Sequence, residues 1–179
     1  MKRFKRAVCA ALGVAALAAP VTALAHITLE NKEAKAGSTI KFVLRVPHGC
    51  AGSSTIAVKI ALPPELTEAK PEPKPGWVLT TKVQAGHDAA AGLSADGHGS
   101  HENEVVKEIA WSGGKLEDAH HDEFIFRAKV SNVTRSEIYV PVVQQCEKGT
   151  DRWIEIPPSG GSANDLKFPA PSIKVLSTK

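Results

Sequence analysis

The alternation in "DEFIFRAKV", Asp122 to Val130, constrains this chain more than any other feature. Phe124, Phe126, Ala128 and Val130 recur at every second position, and successive side chains of an extended strand point to opposite faces. Wound into a helix, these residues would scatter around the axis; extended, they make one apolar face. The same pattern gives Ile40, Phe42, Leu44 and Val46 in "TIKFVLRVP", and Ile56, Val58, Ile60 and Leu62 in "STIAVKIALP". "HITLE", "GWVLTTKV", "EVVKEIAWS", "EIYVPVVQQ", "RWIEIP" and "SIKVLS" are further short runs separated by Gly and Pro. A count of about nine strands, with no helical period after residue 25, predicts an all-β sandwich of two sheets.

Pro141 inside "YVPVV" predicts an edge or bulged position, because proline cannot donate to a ladder. "PPELTEAKPEPKPG", Pro63 to Gly76, reads as an extended crossing loop. "AGHDAAAGLSADGHGSHEN", Ala85 to Asn103, is too polar for the core and reads as a mobile loop between two hairpin strands. "SGGKLEDAH" around Gly113 and Gly114 reads as a turn, and Trp77 and Trp111 are expected in the core.

The first 25 residues follow different rules. Lys2, Arg3, Lys5 and Arg6 precede an apolar run from Ala7 to Val21 that ends in Ala23-Leu24-Ala25, the pattern of an export signal cleaved after Ala25. At roughly 15 residues the run is short of the about 20 that a membrane helix needs. Residues 26–179 are then a single domain, with enough chain for a substantial core. Four of the 22 Lys and Arg leave with the signal and none of the 19 Asp and Glu does, so the mature chain is nearly neutral. That balance gives no electrostatic case for nucleic acid.

Export to the periplasm places Cys50 and Cys146 where a disulfide persists. Such a bridge would close a loop of roughly 100 residues, for which chain entropy suggests about 4 to 5 kcal/mol of stabilisation. The competing reading is a pair of thiolate ligands for a soft metal.

Cleavage after Ala25 makes His26 the first residue, and its imidazole gains a free α-amine as neighbour. That pair of nitrogens chelates metals. In "HITLE", Ile27 and Leu29 should face the core, which turns His26, Thr28 and Glu30 outward. Glu30 lies about 13 Å along the strand, too far to share an ion with His26. Antiparallel pairing of "HITLE" with "TIKFVLRVP" about Gly37 sets His48 across from His26. Trp153 and Glu155 share one face opposite Ile154 and Ile156, so the indole is expected outward, either covering a metal site or filling the rim of the core. His87, His98 and His101 in the long loop, and Asp118, His120, His121 and Asp122 in "EDAHHDEF", carry donors that suit Cu(II) or Zn(II). Solvated loops are the simpler account of both groups, and extended backbone would point His120 and His121 to opposite faces.

Together, "HITLENKEAKAGS", "RVPHGCAGSSTIAVKIALP", "PKPGW", "WSGGKL", "DEFIFRAKV" and "RWIEIPP" resemble the YcnI-like proteins, a family of exported bacterial domains, over nearly all of the mature chain. The resemblance implies an immunoglobulin-like or cupredoxin-like β-sandwich linked to copper handling. It also implies a single-histidine brace, in which the amine and a ring nitrogen of the first mature residue bind Cu(II) beside a carboxylate and a tryptophan. On this chain the brace falls on His26 and the tryptophan on Trp153. The family's carboxylate lies just after the second strand, where this chain reads "VPHGCAGS" without an acid; His48 is implied as a substitute ligand, or the position is open. Many members carry a carboxy-terminal membrane helix, and none is read here before Lys179, implying a periplasmic form without a membrane anchor.

The function so implied is a Cu(II)-binding chaperone or buffer, not an enzyme, with the copper ion and other periplasmic copper-handling proteins or a copper importer as partners. Two alternatives compete. A histidine-brace copper oxygenase acting on polysaccharide is disfavoured by the lack of a second brace histidine other than His48 and by a single tyrosine, Tyr139. A metal-free extracytoplasmic binding module would use its sandwich edges.

Overall fold

The structure is a computed structural model that describes residues 26–85, 104–132 and 136–177. The signal segment and the histidines at 87, 98 and 101 lie outside the described residues. Among the described residues twelve strands follow in chain order: β1 Thr28–Leu29, β2 Glu33–Lys35, β3 Thr39–Val46, β4 Thr55–Ala61, β5 Leu66–Pro71 and β6 Val78–Ala85 come first. Then come β7 Glu104–Leu116, β8 Asp122–Val130, β9 Glu137–Tyr139, β10 Val142–Cys146, β11 Thr150–Trp153 and β12 Ser172–Leu176. Three sheets result, in the orders β1-β3-β8-β5, β11-β10-β4-β7-β6 and β2-β12-β9.

The period-two faces pack as the sequence predicts. Phe42, Leu44 and Val46 of β3 and Phe124, Phe126, Ala128 and Val130 of β8 are all fully buried. Phe42 lies opposite Phe126 in register and stacks on it at 4.8 Å between ring centroids. From the second sheet, Val58, Ile60, Ile109 and Trp111 turn inward, and Trp111 meets Phe124 at 5.5 Å. Ile138, Ile173 and Val175 of the third sheet join the same core. Trp77 is half-buried against that core, edge-on to Phe124 at 5.1 Å.

Twelve strands replace the expected nine for three local reasons. The run at Pro141 is two strands: β9 pairs with β12 in the small sheet, while β10 pairs with β4 and β11 in the five-stranded sheet. Proline lacks the N–H that a continuous ladder would use, so the chain changes sheets there. "NKEAKAGS" is more than a turn, because it contains β2, which runs parallel to β12. The expected crossing loop contains β5, paired antiparallel with β8 and bulged between Thr67 and Lys70, with Glu68 at φ 53°. As the last strand of its sheet, β5 tolerates a proline-rich sequence because one side of its ladder has no partner.

Gly113 and Gly114 form no turn but lie within β7. Pairing with β4 jumps from Ala57–Ser112 to Thr55–Leu116, so the two glycines sit in a bulge, and Gly113 adopts φ 77°. A Cβ on Gly114 would overlap the Trp77 indole, which lies against the bare backbone there. Gly114→Ala is therefore expected to lower the unfolding free energy by about 1 to 3 kcal/mol, the usual cost of overpacking. Urea unfolding followed by tryptophan emission measures it, and an unchanged midpoint would show that Trp77 moves aside freely.

Candidate metal site around His26

Ile27 and Leu29 are both buried and anchor the chain's first described residues to the core. That leaves His26 half-buried at the rim, ahead of β1. Its ring tilts at 60° to the Trp153 indole, with centroids 5.7 Å apart. His26 Nε2 is buried without a hydrogen-bond partner. A polar atom so placed costs about 1 to 3 kcal/mol, and it requires an explanation.

A chelate with the residue's own α-amine uses Nδ1, the nearer ring nitrogen, and Nδ1 is not among the buried unpaired atoms. Ligation there places the remaining ring proton on Nε2, the inward nitrogen. Amine and imidazole nitrogens suit Cu(II). Among the described residues, no group of three or more His, Cys, Asp or Glu side chains gathers. The Asp118, His120, His121 and Asp122 stretch therefore makes no metal cage, and a metal at His26 depends on the main-chain amine.

His48 is not directly across from His26. Thr28 faces Arg45 and Leu29 faces Leu44, one residue away from the register that would oppose the two histidines. The insertion of β2 explains the slip, since the connection is no longer a simple hairpin that sets register. His48 Nδ1 hydrogen-bonds the carbonyl of Gly49. A carbonyl only accepts, so Nδ1 donates and the ring lone pair lies on Nε2. A backbone carbonyl on the second nitrogen is the usual support of a metal-binding imidazole.

The loop that carries His48 is pinned from several sides. Gly49 N donates to Asp118 Oδ1 at 3.0 Å, and Cys50 and Ser53 exchange backbone hydrogen bonds of 3.0 and 2.9 Å. A Cβ on Gly49 would overlap Ser53 O, so only glycine fits that close approach. Cys50 and Cys146 are disulfide-bonded, which decides against a thiolate pair. Further along the same sheet, Arg45 bridges Glu30 at 3.2 Å and Glu123 at 3.3 Å.

Trp153 corrects the expected orientation. Its side chain is 3% exposed and faces the core, while Ile154 and Ile156 are 38% and 55% exposed. Trp153 and Glu155 do share one face opposite Ile154 and Ile156, but that face is the inward one; β11 ends at Trp153, and Glu155 hydrogen-bonds Phe168 and Ala170 through its backbone. The indole N–H is satisfied inside, donating to Gln144 Oε1 at 3.0 Å. Gln144 was missed from the sequence. Its signal is parity: it alternates with Val142 and Cys146 in "VVQQC", so an inward Cys146 makes Gln144 a polar residue on a buried face. A groove of about 300 Å³ between Leu62, Pro64, Tyr139, Pro141 and Ile156 shares none of its lining with His26, His48 or Trp153.

Strand layout and core define an immunoglobulin-like β-sandwich with a histidine and a buried polar hub at one rim. A solved structure of an uncharacterized protein from Nocardia farcinica, described as revealing an immunoglobulin-like fold, is similar with a TM-score of 0.62 and 21% identity, over 86% of this chain and 99% of that one. Residues 26–175 match the family described as "Domain of unknown function (DUF1775)", and the chain belongs to that family. A cohesin module from a Clostridium perfringens family 33 glycoside hydrolase is similar with a TM-score of 0.45 and 11% identity, over 86% of this chain and 97% of that one. No curated protein matches the sequence.

Proposed function

We propose that this chain is an exported Cu(II)-binding protein, a periplasmic copper chaperone or buffer and not an enzyme. His26 would hold the ion through its α-amine, freed by cleavage after Ala25, and through Nδ1. The observation that carries the reading is the setting of His26. Its ring packs on Trp153 with Nε2 turned inward, while Nδ1, the nitrogen nearer the amine, is not among the buried unpaired atoms, and the family match begins at that residue. His48 is the candidate further ligand, its Nδ1 already engaged by Gly49 O. Copper is the cargo, and incomplete coordination leaves room for handover to another periplasmic copper-handling protein or a copper importer.

The test is intact-mass determination of the exported protein, then copper titration with electron paramagnetic resonance. His26→Ala, and a variant with one extra alanine before His26, are each expected to weaken Cu(II) binding by roughly 10²- to 10⁴-fold, the gain that a second tethered donor gives. Affinity should fall as pH falls, because protons compete for amine and imidazole alike. Uptake indifferent to the extra alanine would overturn the proposal. It would favour a second reading, a metal-free binding module, which draws on the exposed side chains of Ile154 and Ile156 beside the same rim.

A further inference from the structure

We infer that Gln144 is the positioning residue of this rim: its buried carboxamide holds the Trp153 indole beside His26 and ties it to the loop that carries His48. Its consequence for copper rests on the His26 reading above; its consequence for the metal-free protein does not.

Gln144 is fully buried on the inner face of β10. Its Oε1 accepts from Trp153 Nε1 at 3.0 Å, and its Nε2 donates to His48 O at 2.7 Å and to Thr55 Oγ1 at 2.8 Å. The orientation of the amide follows from its partners. An indole N–H only donates and a backbone carbonyl only accepts, so the flipped amide would oppose donor to donor and acceptor to acceptor.

A carboxamide buried in a sandwich core is costly unless it is paired, and Val142, at the same parity, shows that an apolar residue suits this face. What glutamine adds is a connection. One arm reaches Trp153, whose ring contacts His26. The other reaches the His48–Cys50 segment, which Asp118 pins at Gly49 and the disulfide returns to β10. Thr55, the third partner, is itself fully buried with its hydroxyl 3.8 Å from Cys146 Sγ. Removing the amide leaves the buried indole N–H without its acceptor and takes the Nε2 donor away from the His48 carbonyl, so the indole moves towards a new acceptor. The ring beside His26 and the His48 loop thereby lose their common anchor.

The test compares Gln144→Leu, Gln144→Glu, Trp153→Phe and Gln144→Leu/Trp153→Phe. In the metal-free protein, nuclear magnetic resonance follows the Trp153 Nε1–H and the His26 ring protons. Gln144→Leu is expected to shift both, and Trp153→Phe to shift the His26 ring. Gln144→Glu keeps an oxygen towards the indole and is expected to leave the Trp153 resonance near its original position, while placing an acceptor against His48 O. Copper dissociation constants are expected to rise about 10- to 100-fold in Gln144→Leu, as for other residues that support a ligand without touching the metal. The double variant should cost no more than the larger single one, because both changes cut one connection. An unmoved His26 ring in Gln144→Leu, or effects that multiply in the double variant, would overturn the inference. If Gln144→Leu fails to fold, Gln144→Glu still decides it: a Trp153 Nε1–H that leaves its original position although the acceptor oxygen is kept would overturn the inference. Should the unsubstituted protein take up no copper, the His26 reading fails and the resonance arm still judges Gln144.

Discussion

Replacing Cys50 and Cys146 together by alanine is expected to lower the unfolding free energy by about 4 to 5 kcal/mol. The bonded cysteines are 96 residues apart, and cross-linking a loop of that length removes much of the freedom of the unfolded chain. Both cysteines are buried, so alanine also removes packed sulfur. For a domain of this size the loss corresponds to a fall of roughly 10 to 18 °C in Tm. Urea unfolding of the two proteins under oxidising conditions measures it. A loss below about 1 kcal/mol would mean that the unfolded chain is already restricted in the same way without the bridge.

Phe124→Ala is the second large effect, expected to cost about 3 to 5 kcal/mol. Phe124 is fully buried and meets Trp77 edge-on at 5.1 Å and Trp111 at 5.5 Å, with Lys74 Nζ 5.1 Å from its ring centre. Aromatic pairs of this geometry add about 0.5 to 1.5 kcal/mol to the area they bury. Lys74 is itself fixed, by Asp122 at 2.7 Å and by the Glu123 carbonyl at 3.0 Å, so it does not collapse into the space left by the ring. Urea unfolding read by the emission of Trp77 and Trp111 tests this directly. A cost under about 1.5 kcal/mol would place Phe124 among sites that repack freely.

The disulfide and Phe124 mark what the sequence carries in legible form. Phe124 announces itself through period-two alternation, and the same pattern located β3, β4 and β8, since each buries one face in a shared core. The cysteine pairing followed from compartment and count. Illegible parts depend on contacts between distant segments. β2 has three residues, and only Ala34 is buried, so its parallel partner β12 decides its existence. Gly113 and Gly114 look like turn residues until Trp77 is seen against the bare strand. At the rim, the cleavage pattern and the family resemblance singled out His26, and the structure sets its half-buried ring against Trp153. The inward indole was not legible, because alternation separates Trp153 from Ile154 and Ile156 without saying which of the two faces meets the core. Parity with Cys146 could have put Gln144 on a buried face, but its role depends on three partners drawn from three separate segments, which the sequence does not bring together.

The ring closed by Cys50 and Cys146 encloses both β6 and β7. A single peptide cut between those two strands therefore yields halves that remain one covalent molecule, held by the sulfur bridge and by ladders in all three sheets, among them β6–β7, β4–β7, β3–β8 and β2–β12. Such a nicked chain comes apart only when a thiol opens the bridge and those ladders also melt.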